Sequence, residues 1–374
     1  METYIKAATR LHEHILNRHW NGQAIIGPDP IGKINWRVTR FVKSYFPWLL
    51  GEDRYVYLQG QAYWIMGNLE LFELTQQARC LDMVEQCADH VVQRQPPDGA
   101  WRHPPLRERQ GFISTVEGAW GSLGLAAAYK KIGKQAYLDA AHKWYRFQVD
   151  SIGFQQVKDG LAANYYAHSN SRVPNVTTML LWLVAELSHI TSDDQYLEHA
   201  DAMVRFLKHS QLKSGELPYA YETRPHFQCY QYNSFQFMDL AAYYEMTEDP
   251  IVWDMLSRLA AFLATGVTQR ASCRYDCFKE NPETNYWTAA IAAALLKAHQ
   301  LGLGQGQYAA LSDRAYQRLL SRQNTDGSYD FSDRNYYFLS DRRSYPRQLA
   351  MIMYLLCLKA QASVTAHHST GARS

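Results

Sequence analysis

Two kinds of apolar pattern alternate along the chain. One is apolar nearly all the way round a helix and recurs at 55–76, 114–131, 173–190, 231–246, 286–300 and 346–360. The other keeps its apolar residues at helical spacing on one side, at 4–17, 80–94, 137–149, 196–209, 251–265 and 308–322. A helix apolar on every side belongs in a core, and a one-sided helix belongs on its outside. The alternation therefore predicts six outer–inner pairs, with inner-helix starts about every 52 to 62 residues. Strand signals are confined to a few residues after the glycine turns. Nothing marks a linker, so the pattern predicts one domain over 1–362. The small, polar residues of 363–374 predict a disordered tail.

The punctuation repeats as well. An apolar helical stripe runs into Gln95-Pro96-Pro97-Asp98-Gly99-Ala100-Trp101, and another into Gln323-Asn324-Thr325-Asp326-Gly327-Ser328-Tyr329. A third runs into Gln211, with Gly215 and then Tyr219. Each is Gln, a short polar turn with Gly, then an aromatic; a glycine supplies the positive φ that stops a helix. Paired helices with this repeat predict an all-α (α/α)6 toroid, six helical hairpins closed into a ring.

In that pattern the chain resembles two large groups. One is the six-hairpin sugar-active enzymes: glycoside hydrolases, uronyl hydrolases, polysaccharide lyases and sugar epimerases. The other is the terpenoid cyclases and protein prenyltransferases, whose repeats end in a Gln…Gly-x-Trp turn. The resemblance covers nearly the whole chain and rests on periodicity and turns, so it implies the fold and leaves the activity open.

Composition narrows the picture. The chain has 26 Tyr, 14 Phe and 10 Trp among 374 residues, and aromatics this dense pack cores or line sugar and hydrocarbon pockets. A net charge of +2, with basic residues dispersed, argues against nucleic acid as a partner. No apolar run approaches the roughly 20 residues of a membrane span. Met1-Glu2-Thr3-Tyr4-Ile5-Lys6 opens no signal peptide, and six scattered cysteines form no disulfide framework, so a cytoplasmic location is expected. Cys273 and Cys277 are the close pair and lack a second pair, so no metal is expected. Neither a dinucleotide fingerprint nor a phosphate loop occurs, so no cofactor is expected either.

In a toroid of this kind the segment between each glycine turn and the next inner helix lies at one mouth of the ring. The helix N-termini, with their positive dipole ends, face the same way. The expected substrate-binding set is Trp101, His103, Asn175, Tyr219, Tyr221, Tyr232, Asn233, Arg274, Asp276, Asn285, Tyr286, Tyr336 and Arg347. The long connection at 22–54 adds Arg37 and Arg40, as a basic flap over an anionic ligand or as a surface segment packed by its own aromatics. The densest set is His168 with Tyr165, Tyr166 and Arg172. A His or Tyr can take a proton beside a carboxylate while Arg or Asn neutralises the growing enolate. Lyases of the resembled group use those residue types together, although no contiguous lyase motif occurs here. Hydrolysis would instead need two carboxylates about the scissile bond, for which Glu117 and Glu222 are the leading candidates.

The expectation is an enzyme acting on an acidic, uronate-type sugar or oligosaccharide, by elimination, epimerisation or hydrolysis. A terpenoid cyclase is the alternative, although the chain lacks the Asp-x-Asp-Asp acid and the Asp-rich diphosphate motifs of that group. A non-catalytic helical-repeat binder is the third reading. A polar, open mouth favours sugar, and an apolar, closed one favours terpene.

Overall fold

The computed structural model describes residues 1–27, 42, 45–46, 56–102, 112–167, 171–223, 225–280, 282–333 and 340–371, with side chains as far as 364. Most of the 22–54 connection, with Arg37 and Arg40, lies outside them, as do His103, His168 and Tyr336.

Odd-numbered helices form an outer layer: α1 (Glu2–Arg18), α3 (Ala78–Gln93), α5 (Gln135–Phe147), α7 (Ala200–Ser210), α9 (Pro250–Ala264) and α11 (Gln307–Leu320). Even-numbered helices form an inner one: α2 (Leu58–Thr75), α4 (Thr115–Ile132), α6 (Pro174–Thr191), α8 (Cys229–Thr247), α10 (Asn285–Gln300) and α12 (Pro346–Gly371). Each inner helix packs on the next, and α12 packs on α2, so the inner layer closes into a ring. The fold is the (α/α)6 toroid.

The outer helices bury one stripe, such as Cys80, Val84, Cys87 and Val91 of α3, whereas α4 buries almost every residue from Thr115 to Ala126. That difference in surroundings is the alternation read along the sequence. Inner-to-outer connections are tight: α2, α4, α6 and α8 all end in a left-handed residue, respectively Gln76, Gly133, Ser192 and Glu248. Outer-to-inner connections are long and carry the small sheets. Strands β1 (Phe154–Val157) and β2 (Gly160–Ala163) form an antiparallel hairpin ahead of α6. The two-residue strands β3 (Glu283–Thr284) and β4 (Ser332–Asp333) pair the connections before α10 and α12. At the C-terminus the backbone stays helical to Gly371, beyond Ser363, since neither Gly nor Pro interrupts α12 after Pro346.

The repeated Gln–Gly turns act as staples. The Gln95 side-chain amide donates to the carbonyls of Gly99 (3.0 Å) and of Ala140 in α5 (2.8 Å). Gln211 does the same to Gly215 (2.9 Å) and Met255 of α9 (3.0 Å). Gln323 bonds Gly327 (3.0 Å) and Ala7 of α1 (2.8 Å). Alternate gaps of the outer ring, α3–α5, α7–α9 and α11–α1, are thus closed by one device. Gln95→Ala leaves two carbonyls without that donor and is expected to lower stability by about 1–2 kcal/mol in urea unfolding.

Candidate active site at the mouth of the ring

The N-termini of the inner helices converge on a cavity of about 170 Å³. Five of them present their second residue to it: Gln59, Val116, Asn175, Tyr286 and Arg347. Helix α8 presents Gln231 and Tyr232. Tyr165 reaches the cavity from the connection after β2, and Tyr219 from the connection after α7. Six of the expected site residues therefore meet: Tyr165, Asn175, Tyr219, Tyr232, Tyr286 and Arg347.

Their settings differ. Tyr219 and Tyr232 pack edge to face, with ring centroids 5.1 Å apart. Burial pushes the Tyr232 phenol well above its ordinary pKa, and Arg347 opposes this only weakly, so Tyr232 is a proton-bearing donor at neutral pH. Arg347 lies over the Tyr57 ring, 5.2 Å from its centroid, and bonds the Gln59 amide oxygen at 3.3 Å. Asn175 and Gln231 each hold an amide oxygen away from solvent without a hydrogen-bond partner among the described residues. Such acceptors in a cavity wall are matched by a ligand's hydroxyl donors.

The floor carries a group that the rim logic does not reach. Asp239, in the middle of α8, is 2 % exposed and accepts a 2.9 Å hydrogen bond from the Thr178 hydroxyl of α6. Burial raises its pKa to about 8 against the effect of that hydrogen bond. A second, largely apolar cavity of about 280 Å³ opens from the other end of the ring, between the C-terminal halves of the inner helices. Trp120, Phe235 and Asp239 border both cavities and form the partition between them. Among the described lining residues of the mouth, Asp239 is the carboxylate and Arg347 the cation. A carboxyl inside a helix that is apolar all round, Phe237-Met238-Asp239-Leu240-Ala241, was the available signal for it.

Other expected site residues serve the frame. Glu117 accepts from the backbone N–H of Leu58 at 2.6 Å and so caps α2 from the first turn of α4. Asn233 is spent on the backbone of Leu217, at 2.7 and 3.0 Å, and on Cys229. Asn285 ties Asp330 to Arg322, and Asp276 folds a turn by accepting from Phe278 and Lys279. Trp101 is buried beside Trp144 and donates to the Val91 carbonyl at 3.0 Å. Glu222 is exposed in a turn at φ 58°, and Arg274 lies 3.9 Å from Glu280. The Arg172 carbonyl accepts from the Tyr221 N–H at 3.0 Å, and Tyr166 packs against Tyr165 at 4.5 Å. Tyr165 apart, none of these residues lines the mouth cavity.

No protein-family model and no curated protein sequence matches the chain. Solved structures do. The cellobiose 2-epimerase of Bacillus thermoamylovorans superposes with a TM-score of 0.73 at 10% identity, over 96% of this chain and 100% of that one. The fold is that of the six-hairpin glycosidases. An unsaturated glucuronyl hydrolase specific for heparin gives a TM-score of 0.68 at 11% identity, over 98% and 97% of the two chains. A polysaccharide lyase gives 0.67 at 12% identity, over 96% and 97%. These likenesses bear on architecture; at such identities the chemistry has to be argued from this chain's own residues. No helix among the described residues is long and apolar enough to cross a membrane.

Proposed function

We propose that the chain is a carbohydrate-active enzyme that binds an acidic, uronate-type sugar at the mouth of the ring and moves a proton next to its carboxylate. The supporting observation is the make-up of the described lining: four tyrosines and four amides around Arg347, above one buried carboxyl. Tyrosine faces stack on the apolar faces of sugar rings, and the amides of Gln59, Asn175 and Gln231 match hydroxyls. Arg347 can pair with the sugar's carboxylate through charge-assisted hydrogen bonds, aided by the inner-helix N-termini. Elimination and epimerisation both need one group to take or give a proton while a cation steadies the enolate. Tyr232 and Asp239 are the donors we assign within the cavity. His168, three residues after Tyr165 in the sequence, is the base we assign from sequence. Two-carboxylate hydrolysis fits less well, because the described lining holds one carboxyl rather than a flanking pair. A lyase, an epimerase and a glucuronyl hydrolase among the neighbours of this fold make the sugar reading the first to test.

The test is ligand binding followed by turnover. Uronic-acid oligosaccharides are expected to raise the melting temperature, and neutral oligosaccharides of equal length are not. Arg347→Ala is expected to weaken uronate binding by about 10- to 100-fold, the range for losing a hydrogen bond to a charged group. The bound uronate is then assayed for an unsaturated product by near-ultraviolet absorbance and for an epimer by NMR. Stabilisation by neutral sugars alone, or by prenyl diphosphates alone, would overturn the uronate assignment.

A further inference from the structure

Beside the mouth, but not lining it, three metal-ligating side chains from two connections come together, and a fourth stands next to one of them. Glu216 lies in the connection after α7, His226 in the turn before α8, and Cys277 in the connection between α9 and α10. One ligand atom from each, a carboxylate oxygen, an imidazole nitrogen and a sulfur, lie within 4.8 Å of one another. Cys229, the first residue of α8, places its Sγ 3.1 Å from that of Cys277. Cys273, which is closer to Cys277 in sequence, stands elsewhere, its backbone N–H bonded to Glu283 at 3.3 Å.

The local structure is bent to make this set. Glu216 is fully buried, and its two carboxylate oxygens hold the backbone N–H of His226 (2.8 Å) and its Nδ1 (2.6 Å). His226 and Gln228 adopt φ of 70° and 46°, left-handed conformations that residues with a side chain occupy at a cost of about 1 kcal/mol or more each. Two such residues within three positions turn the imidazole back onto Glu216 and start α8 with Cys229 facing Cys277. A buried carboxylate opposite an imidazole and two thiols has one common use for all four groups.

We propose that Glu216, His226, Cys229 and Cys277 bind a thiophilic divalent cation of the zinc class. Thiol ligands disfavour magnesium and calcium, and a mixed oxygen, nitrogen and sulfur set suits tetrahedral zinc. Ligand atoms around such an ion stand roughly 3.3–3.8 Å apart, as bonds of about 2.0–2.3 Å require, so small shifts close the set of three and a turn of the Cys229 side chain beside Cys277 completes it. Binding sends the two thiol protons to solvent, with His226 neutral and Glu216 ionised. Cys277 is partly exposed and gives the ion an entry path. None of the four residues lines the mouth cavity, so the ion's role is to fasten the rim. It ties two outer-to-inner connections to the start of α8, one turn before Tyr232 and within the segment that carries Tyr219. Phe227, between two of the ligands in sequence, packs on Tyr219 at 5.3 Å.

The experiment uses the full chain, reduced and stripped by a chelator, and titrates it with cobalt(II). One equivalent is expected to bind, with thiolate-to-cobalt charge transfer in the near ultraviolet and intense tetrahedral d–d bands in the visible. Stoichiometric zinc should abolish both. Cys277→Ser and His226→Ala should each weaken cobalt binding by about tenfold or more, while Cys273→Ser leaves the spectrum unchanged. A wild-type protein with no thiolate–cobalt band overturns the proposal, and so does a band that survives when Cys229 and Cys277 are both replaced by Ser. A Cys229–Cys277 disulfide formed in air, with no band from the reduced protein, overturns it too. The decisive reading is on the wild type, so it does not depend on any variant folding, and it is independent of whether the mouth binds uronate.

Discussion

Asp239→Asn is expected to be about as stable as the wild type below about pH 4 and markedly more stable above about pH 8. The folded protein holds the Asp239 carboxyl at a pKa of about 8, against the ordinary 3.8 of the unfolded chain. Between those values the folded state binds the extra proton, so wild-type stability falls as pH rises through the window and levels off above it. A difference of about four pKa units corresponds to a penalty on the order of 5 kcal/mol at alkaline pH. Asn resembles the protonated acid in size and carries no titrating group, so this slope should vanish from a plot of melting temperature against pH. A slope of equal size in both proteins would place the titration elsewhere. The same group should set a limb near pH 8 in the pH–rate profile with an acidic sugar, and that limb should be missing from whatever activity Asp239→Asn retains.

Gly327→Ala should be strongly destabilising. Gly327 has φ 86°, and an added Cβ would overlap the carbonyl of Arg10 in α1. Backbone strain and a clash with backbone add, for a loss of about 3–5 kcal/mol in denaturant midpoints. Arg10 itself donates to the carbonyls of Asn324 (3.0 Å) and Thr325 (2.8 Å), so the turn and α1 cannot separate without losing these bonds as well. Gly133→Ala is the control: its φ is 79°, but nothing lies within 4 Å of the added carbon. It should show the backbone strain alone, about 1–2 kcal/mol.

The fold was legible because a closed inner ring leaves no solvent-facing side on α4 or α10, and the sequence records this as segments without a polar face. The mouth was legible for a related reason: once helices alternate, the second residue of each inner helix must sit at the same end. That placed Asn175, Tyr286 and Arg347. Spacing could not tell which way a rim residue turns. Tyr232 and Asn233 are neighbours about 100° apart on α8, and one faces the cavity while the other bonds Leu217. Glu117 caps α2 from a position that reads equally well as a catalytic acid. Asp239 was missed because attention to helix ends passes over a carboxyl at mid-helix. The meeting of Cys277 with Cys229, 48 residues apart, depends on which two connections lie side by side.

The third staple has a consequence for how the protein is made. It joins residues 316 positions apart, beside the hairpin that pairs α1 with α12. A ribosome releases α1 well before its partners α11 and α12. Until they emerge, the buried stripe of Ala8, Leu11 and Ile15 lacks the main surface that α1 packs against and has only its slighter contact with α2. The five other hairpins are local and can assemble as they appear, so completing the circle is a late event that waits on synthesis. Linking the start of α1 to the end of α12 and opening the chain between two other hairpins should move that wait to a new place without altering the finished ring.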